Sequence, residues 1–298
     1  MRGSFGIGHL EQTTVPMSTV RSIGLLGEYK GKQQLFEKQS PQVLSALREV
    51  ARVQSIQSSN RIEGVTAASG RVAELAAEKT TPRDRSEQEI AGYRDVLSTV
   101  HANAPGMDVS TGLILQLHRD LYQFSPTPGG AWKGKANDIV DVLSDGTHRL
   151  RFSPVAPHLV DTAMNDLVAG YDSVVSGGQV DSLIAVPAFI LDFLCVHPFS
   201  DGNGRMSRIL NLMLLYQAGY DVGRYISLEK VIEDSKETYY EALEASSEGW
   251  HEGRHDLVPW LQYSHGVLIA AYLEFEQRVG QMGTGLSLIH ISEPTRPY

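Results

Sequence analysis

The sequence has little cysteine, no excess of positive charge and no long apolar run. Its 298 residues contain one cysteine, Cys195, which excludes an internal disulfide and fits a reducing compartment. A formal net charge of −9 leaves no basic surface for sequence-independent binding of nucleic acid or anionic membranes. No apolar stretch reaches the length of a membrane span, about eighteen residues, and residues 1–10 lack the pattern of a signal peptide. We therefore expect a cytoplasmic protein that binds neither membrane nor nucleic acid through this chain.

The rest of the composition is that of a folded globular protein. Hydrophobic residues make up 42% and charged residues 20% of the chain, which are ordinary proportions. The length allows one large domain or two small ones, and either could bury a real core. Cys195 lies in the apolar run 191–196, where a buried, inert thiol is expected rather than a nucleophile.

Hydrophobic periodicity predicts a mostly α-helical chain. The first strong helix start is Ser40-Pro41, a capping serine followed by proline at the first helical position, and this helix is expected to end at Gly64. The spacing of apolar residues predicts further helices near 67–78, 84–103, 110–123, 156–175, 181–195, 203–217, 234–247 and 256–279.

One segment differs in character and predicts a β-hairpin. Residues 139–143 and 148–152 are β-prone, and they flank the sequence Ser-Asp-Gly-Thr at 144–147. Asp-Gly between two such runs is a strong hairpin signal.

A glycine-rich loop followed by a helix is predicted at residues 197–208, which read His-Pro-Phe-Ser-Asp-Gly-Asn-Gly-Arg-Met-Ser-Arg. Two glycines and two side chains that compete for backbone hydrogen bonds disfavour helix at 201–204, whereas the residues from Arg205 onward are strongly helical. The N-terminus of such a helix carries unpaired N–H groups and the positive end of the helix dipole, which attract anions.

The polar side chains of this segment suit chemistry on a polyphosphate. Arg205 and Arg208 are three residues apart and can reach over the same helix face, where guanidinium groups bind phosphate oxygens. Asp201 supplies a hard oxygen ligand for Mg²⁺. His197 ends the preceding helix and can accept a proton from an attacking hydroxyl near neutral pH.

Other interpretations of the segment fit less well. Glycine-rich loops before helices often serve only as turns. An EF-hand is excluded because Arg205 stands where an oxygen ligand is needed and glycine is misplaced. A P-loop is excluded because no Lys-Ser/Thr pair follows the glycines.

The segment resembles the Fic family signature His-x-Phe-x-Asp/Glu-Gly-Asn-Gly-Arg-x-x-Arg, which it matches at every fixed position. The wider similarity covers about residues 26–279 and includes Leu117-His118-Arg119 and Trp132-Lys133. The resemblance implies a mostly α fold, the Fic fold, with a helical core, a β-hairpin flap and an N-terminal helical extension. It also implies transfer of AMP from ATP to a Ser, Thr or Tyr hydroxyl of a target protein or of the chain itself.

The resemblance assigns roles to the residues of the signature. His197 is implied to be the general base, Phe199 to pack beneath the loop, and Asp201 to bind Mg²⁺ between the α- and β-phosphates. Asn203 counts with His197 as catalytic because it belongs to the anion hole. Phe199 is counted among the ATP-binding residues. The others in the signature are implied to surround the α-phosphate (Gly202, Asn203 and Gly204), the β-phosphate (Arg205) and the γ-phosphate (Arg208).

Two further regions acquire roles from the resemblance. The hairpin 139–152 is implied to be the flap, which aligns an unknown target protein by adding its segment as a strand. Tyr239 and Tyr240 begin a segment that resembles the helix enclosing adenine and ribose. One of the two is expected to face the nucleotide and the other to pack in the core. Ser247 stands where some relatives carry asparagine.

A second motif, Ser59-Asn-Arg-Ile-Glu63-Gly64, resembles the Fic inhibitory motif Ser/Thr-x-x-x-Glu-Gly/Asn. Alone, this pattern is a common helix ending, but beside a complete signature it implies autoinhibition. Glu63 would pair with Arg208 in the place that the γ-phosphate needs, which leaves ATP misaligned for attack. In some relatives the same glutamate positions a water that removes AMP, and the sequence leaves that activity open here.

Two alternatives belong to other functional classes. His251-Glu252-Gly-Arg-His255 satisfies the zinc-peptidase pattern, with Glu274 or Glu276 as a third ligand. That pattern needs a continuous helix, however, and the neighbouring glycines and a proline predict a surface connection instead. The other alternative is a binding module that has lost catalysis. The sequence argues against it, because every catalytic position of the signature is occupied by the required type of residue.

These assignments divide the chain into four parts. Residues 1–16 are interpreted as an extension or a cloning remnant, with Met17 as an alternative start. Residues 17–105 form the helical region with the inhibitory motif, 106–280 the Fic catalytic domain, and 281–298 a non-native tail. If the tail is foreign, the natural protein is longer, and many relatives carry a C-terminal winged-helix domain that could bind DNA. Family members also often form homodimers.

Overall fold

The computed structural model describes residues 3–6, 9–39, 41–142 and 146–290, and it confirms the predicted mostly helical fold with one β-hairpin. The helices are α1 (His9–Gln12), α2 (Met17–Gln39), α3 (Pro41–Ile62), α4 (Ser69–Ala76), α5 (Arg85–Asn103), α6 (Thr111–Leu121), α7 (Val160–Gly177), α8 (Ser182–Val196), α9 (Asn203–Gln217), α10 (Leu228–Asp234), α11 (Lys236–Ser247) and α12 (Val258–His290). The strands are β1 (Ile139–Val142) and β2 (His148–Phe152).

Helix α8 forms the centre of the core. Its sequence is apolar around the whole helix, which requires other elements on every side, and it packs against α7, α9, α11 and α12. Cys195 is buried in this helix, and burial raises the pKa of its thiol, in agreement with an inert role. The fold thus places His197, at the C-terminal end of α8, close to the start of α9.

The N-terminal helices and the hairpin cover this core. Helix α3 contacts α4, α5, α9 and α10, while α2 lies along α12. Strands β1 and β2 pair antiparallel with Val140 opposite Leu150, and β2 contacts α11. The predicted hairpin turn includes residues 143–145, which lie outside the described residues. None of the described helices combines the length and the apolar character needed to cross a membrane.

Four helices differ from the sequence prediction, and the shortest, α1, lies within residues 1–16, where no helix was predicted. Helix α2 was not predicted, because its glycines at 24, 27 and 31 lower helix propensity, and burial of Leu26 and Tyr29 against the core stabilises it instead. Helix α10 is too short to show a periodicity. Helix α12 continues to His290 although its end was predicted at 279.

Residues near the two ends of the chain can be compared with the predicted extension, 1–16, and the predicted non-native tail, 281–298. Ser4 and Leu10 are buried, and Ser4 donates from its backbone N and from Oγ to the Asp192 carboxylate at 2.7 Å each. Of the tail that was interpreted as non-native, residues 291–298 lie outside the described residues. The domain boundaries therefore stay predictions.

Candidate active site

Residues 197–204, the loop after α8 together with the first two residues of α9, form the candidate catalytic loop, for short the catalytic loop. It is closed by the side chain of Asn203, whose Oδ1 accepts from Phe199 N at 2.9 Å and whose Nδ2 donates to Phe199 O at 2.7 Å. Gly202 precedes α9 with a φ of +82°, a left-handed conformation that favours glycine. The Asn203 side chain thus braces the loop, while the backbone at 202–204 forms the helix N-terminus that suits an anion.

His197 presents one ring nitrogen as a base. Its Nδ1 lies 3.3 Å from Leu194 O, and because a carbonyl only accepts, Nδ1 carries the proton and Nε2 keeps its lone pair. Burial lowers the pKa of His197 to about 4, and the positive charges of Lys133 and Arg151 act in the same direction. The hydrogen bond to Leu194 and the charge of Glu63 oppose this shift. The imidazole is therefore neutral at neutral pH, as a proton acceptor must be.

An aromatic stack supports the catalytic loop from below. Phe199 is fully buried, and its ring lies parallel to that of His118 with centroids 3.6 Å apart. His118 Nδ1 accepts from Gly130 N at 2.8 Å, so Nε2 carries the proton and donates to Asp201 O at 3.1 Å. His118, which lies in the Leu117-His118-Arg119 element of the resemblance, therefore holds the backbone of the candidate metal ligand.

Arg208 contacts Ser59 and Glu63 of the candidate inhibitory motif. The guanidinium is buried, with Nε donating to Ser59 Oγ and Nη2 to Ser59 O, both at 2.8 Å. Nη2 also lies 2.8 Å from Glu63 Oε1. A Cβ added at Gly204 would lie 2.1 Å from the same Glu63 oxygen. The Glu63 carboxylate thus occupies the anion-binding N-terminus of α9, while Gly64, at a φ of +77°, ends the motif as predicted.

Arg205 points to a different part of the molecule. It is 1% exposed, and its Nη1 donates to Glu89 Oε2 at 2.7 Å and its Nη2 to Tyr122 Oη at 2.9 Å. Its Nε is buried without a hydrogen-bond partner among the described residues. The two arginines were expected to reach over one face, but the structure does not bring them together, because Glu89 on α5 and Glu63 after α3 attract them separately.

Asp201 fits a metal ion only if a ligand supplies further oxygens. Its side chain is 58% exposed, and its Oδ1 accepts from Gly202 N at 2.7 Å. Within the part of the chain that the structure describes, no group of three or more His, Cys, Asp or Glu side chains could hold a metal. One exposed carboxylate suits Mg²⁺, which is commonly held by one or two carboxylates together with substrate phosphates.

The two tyrosines at 239 and 240 in α11 differ in burial and in their neighbours. Tyr239 is buried in an aromatic cluster with Trp260 and Tyr263. Tyr240 is half-buried, and the Arg151 guanidinium of the hairpin lies 5.4 Å from the centre of its ring. Tyr240 is therefore the one that faces the hairpin side of the site.

The zinc-peptidase alternative is not supported by the geometry. Residues 248–257 are non-helical, so the two histidines of the pattern do not share a helix face. His251 Nε2 lies 2.8 Å from Ser153 O, and His255 Nε2 lies 2.9 Å from Ser4 Oγ. The segment is a connection between α11 and α12, as its glycines predicted.

Sequence reasoning missed several residues that support the site. Glu89 and Tyr122 hold Arg205, while Lys133 and Asn137 contact the backbone of the catalytic loop. Lys133 belongs to the Trp132-Lys133 pair of the family resemblance, which assigned it no role, and the other three lie in no motif with a characteristic spacing. The one available signal was chemical, since a buried arginine requires an acidic partner somewhere in the chain.

Comparison with known proteins identifies the family. The sequence model of the Fic/DOC family matches residues 108–215. A Fido domain-containing protein of Dictyostelium discoideum is 31% identical over 120 residues, which cover 38% of this chain and 79% of that protein. A probable protein adenylyltransferase of Aquifex aeolicus is 27% identical over 177 residues, which cover 58% of this chain and 49% of that protein. The chain belongs to the Fic/DOC family.

A solved structure agrees with this assignment at the level of the fold. A Fic family protein from Desulfovibrio desulfuricans superposes with a TM-score of 0.72 at 23% sequence identity. The superposition covers 89% of this chain and 75% of that one. The shared fold therefore extends well beyond the matched segment, residues 108–215.

Proposed function

We propose that this protein transfers AMP from ATP to a Ser, Thr or Tyr hydroxyl of a target protein. The observation that carries the proposal is the catalytic loop, which joins a neutral imidazole with an open Nε2 to a helix N-terminus suited to phosphate. Membership of the Fic/DOC family and similarity to the probable protein adenylyltransferase of Aquifex aeolicus support the same reaction.

The reaction uses one proton acceptor and one anion-binding site. Nε2 of His197 takes the proton of the target hydroxyl while the hydroxyl oxygen attacks the α-phosphorus of ATP. The bond from the α-phosphorus to the oxygen that bridges to the β-phosphate breaks, and pyrophosphate leaves. Backbone N–H groups at the start of α9 stabilise the charge that develops on the α-phosphate.

The β- and γ-phosphates are proposed to bind through the charged side chains of the signature segment, residues 197–208. Asp201 would hold Mg²⁺, which when bound neutralises charge on the α- and β-phosphates. Arg205 is proposed to bind the β-phosphate and Arg208 the γ-phosphate. Each guanidinium first has to rearrange, because Glu89 and Glu63 hold them in the present structure.

The target segment is proposed to dock on the hairpin 139–152, the flap. A two-stranded sheet has an outer edge on each strand, and an extended peptide can pair with such an edge. Val140 and Leu150 lie opposite each other and are exposed, so they offer an apolar contact to a side chain of the target.

Glu63 is proposed to inhibit the reaction. Its carboxylate lies against Arg208 and Gly204, where the γ-phosphate and its neighbours have to bind. A second negative group at this helix N-terminus would be repelled, so ATP binds productively only after Glu63 leaves. Activity is therefore expected to be low until the end of α3 moves.

ATP labelled at different phosphates tests the reaction directly. In the Glu63→Gly variant, label at the α-phosphate should remain on protein, whereas label at the γ-phosphate should leave with pyrophosphate. Adding His197→Ala should abolish labelling because no base remains. Retention of the γ-label would indicate phosphoryl transfer and would overturn the proposal.

A further inference from the structure

Lys133 is a buried cation beside the catalytic loop. It lies between α6 and the flap and is 3% exposed. Among the residues that the structure describes, no carboxylate lies within salt-bridge distance of its ammonium; Nζ instead donates to Asn137 Oδ1 at 2.6 Å and to Val196 O at 3.3 Å. Burial lowers the pKa of Lys133 to about 8. The negative charge of Asp138 raises this pKa, but its carboxylate makes no direct ion pair with the ammonium. A buried charge without a direct ionic partner is costly, so the position of Lys133 calls for an explanation.

Lys133 and Asn137 bind the backbone on both sides of His197. The Lys133 ammonium and backbone N–H and the Asn137 side-chain amide each donate to a carbonyl of this segment. The ammonium donates to Val196 O at 3.3 Å and the Lys133 backbone N–H to Pro198 O at 2.8 Å. The Asn137 amide donates to Phe199 O at 2.9 Å.

The backbone held by these bonds is strained. His197 has a φ of +49°, which is unfavourable for a residue with a side chain. Such a conformation persists only where the surrounding contacts impose it. The bonds from Lys133 and Asn137 are contacts of this kind.

We propose that Lys133 is a positioning residue for the reaction: with Asn137 it holds His197 in the left-handed conformation that directs its imidazole toward the acceptor hydroxyl. This rests on the proposed function, in which His197 is the base. The charge of Lys133 also acts on the imidazole. Burial lowers the pKa of His197 most, Lys133 and Arg151 lower it further, and the Leu194 carbonyl and Glu63 raise it.

Steady-state kinetics in the Glu63→Gly background test the positioning role. Lys133→Met should lower kcat roughly 100-fold, as expected for a misplaced base, without raising KM for ATP. Lys133→Arg keeps the charge and should recover most of kcat. Lys135→Met is the matched control, because Lys135 is exposed and makes no contact with the loop, and its kcat should equal that of the parent.

An NMR titration separates this proposal from the proposed function. In the full chain without ATP, the His197 resonance, assigned by its loss in His197→Gln, should titrate at higher pH in Lys133→Met than in Lys133→Arg. If the parent protein transfers no AMP, the proposed function fails. The difference in His197 titration between the two variants still tests the contact between Lys133 and the His197 segment. An unchanged kcat with Lys133→Met, or a raised KM alone, would overturn the positioning role. If Lys133→Met does not fold, Asn137→Ala replaces it, and an unchanged kcat there overturns the proposal as well.

Discussion

At the scale of single residues, the catalytic loop depends on two glycines for different physical reasons. Gly202 has a φ of +82°, and a Cβ there would lie 3.0 Å from Tyr122 Oη. Gly204 lies in the first turn of α9, where a Cβ would meet the Glu63 carboxylate. The first glycine permits the backbone conformation, whereas the second permits an acidic group to approach the helix N-terminus.

Gly202→Ala should therefore destabilise the protein by roughly 1–2 kcal/mol, the cost of a left-handed alanine, and should weaken ATP binding. Gly134→Ala is the control, because Gly134 has open space around its Cα and no positive φ. Thermal denaturation and calorimetric ATP titration measure both effects. Equal stability and ATP affinity for the two variants would contradict the role of Gly202.

At the scale of secondary structure elements, α3 leads into the candidate inhibitory motif, whose Glu63 follows the last residue of the helix. Its C-terminal half is attached to α10 by polar bonds, since Ser55 Oγ donates to Glu229 and Ser58 Oγ to Glu233, both at 2.7 Å. Arg61 also pairs with Glu233 at 3.2 Å. These contacts attach the end of α3 that precedes Glu63, so we expect them to help to keep Glu63 against Arg208.

Ser58→Ala should therefore raise AMP transfer although it leaves Glu63 intact. Loss of one such hydrogen bond is worth about 1 kcal/mol, which corresponds to roughly a fivefold shift in the equilibrium between held and released α3. Ser45→Ala on the exposed face of the same helix is the control. Initial rates of labelling measure the effect, and a rate for Ser58→Ala equal to that of Ser45→Ala would argue against this attachment.

The elements that the sequence predicted well are those with local signals. The spacing of apolar residues, a capping serine or a glycine stop is contained within a few neighbouring positions, so α3, α5, α8 and α9 were predicted within a few residues. The hairpin was predicted for the same reason. Helix α2 was missed because its stabilisation comes from α12, which lies more than two hundred residues further along the chain.

The residues of the candidate site also divide into those that a local sequence signal predicts and those that only the fold brings into place. Its motif residues were predicted because their order along the chain is itself characteristic. Glu89, the acidic partner of Arg205, was not predicted, because it lies 116 residues away and only the fold brings the two side chains together. The sequence assigned no role to Lys133 or Asn137, since their contacts with the loop are to backbone carbonyls, which every residue carries.

At the scale of the whole molecule, buried histidines dominate the response to acid. Burial is the main cause that lowers the pKa of His101 to about 3 and of His118, His197 and His255 to about 4. Burial also raises the pKa of Asp192 to about 6. The histidines are neutral in the folded protein at pH values where they are charged in the unfolded chain.

Stability should therefore fall as the pH is lowered. Between the ordinary histidine pKa, about 6.5, and about 4, the unfolded chain binds more protons at these four histidines than the folded protein does. Asp192 has the opposite effect below about pH 6, but it is one group against four. Tm should drop between about pH 7 and pH 5, by about 2–4 °C for each kcal/mol lost. Scanning calorimetry in matched ionic strength measures it, and a constant or rising Tm would contradict the assignment.

The measurement that tests the central claim most directly is the intact mass of the protein after incubation with Mg²⁺ and ATP. Wild type, Glu63→Gly and the double variant Glu63→Gly/His197→Ala are compared. We predict a gain of one AMP that is small in wild type, larger in Glu63→Gly and absent in the double variant. Equal gain in all three, or a gain that corresponds to phosphate, would contradict AMP transfer by His197 under the control of Glu63.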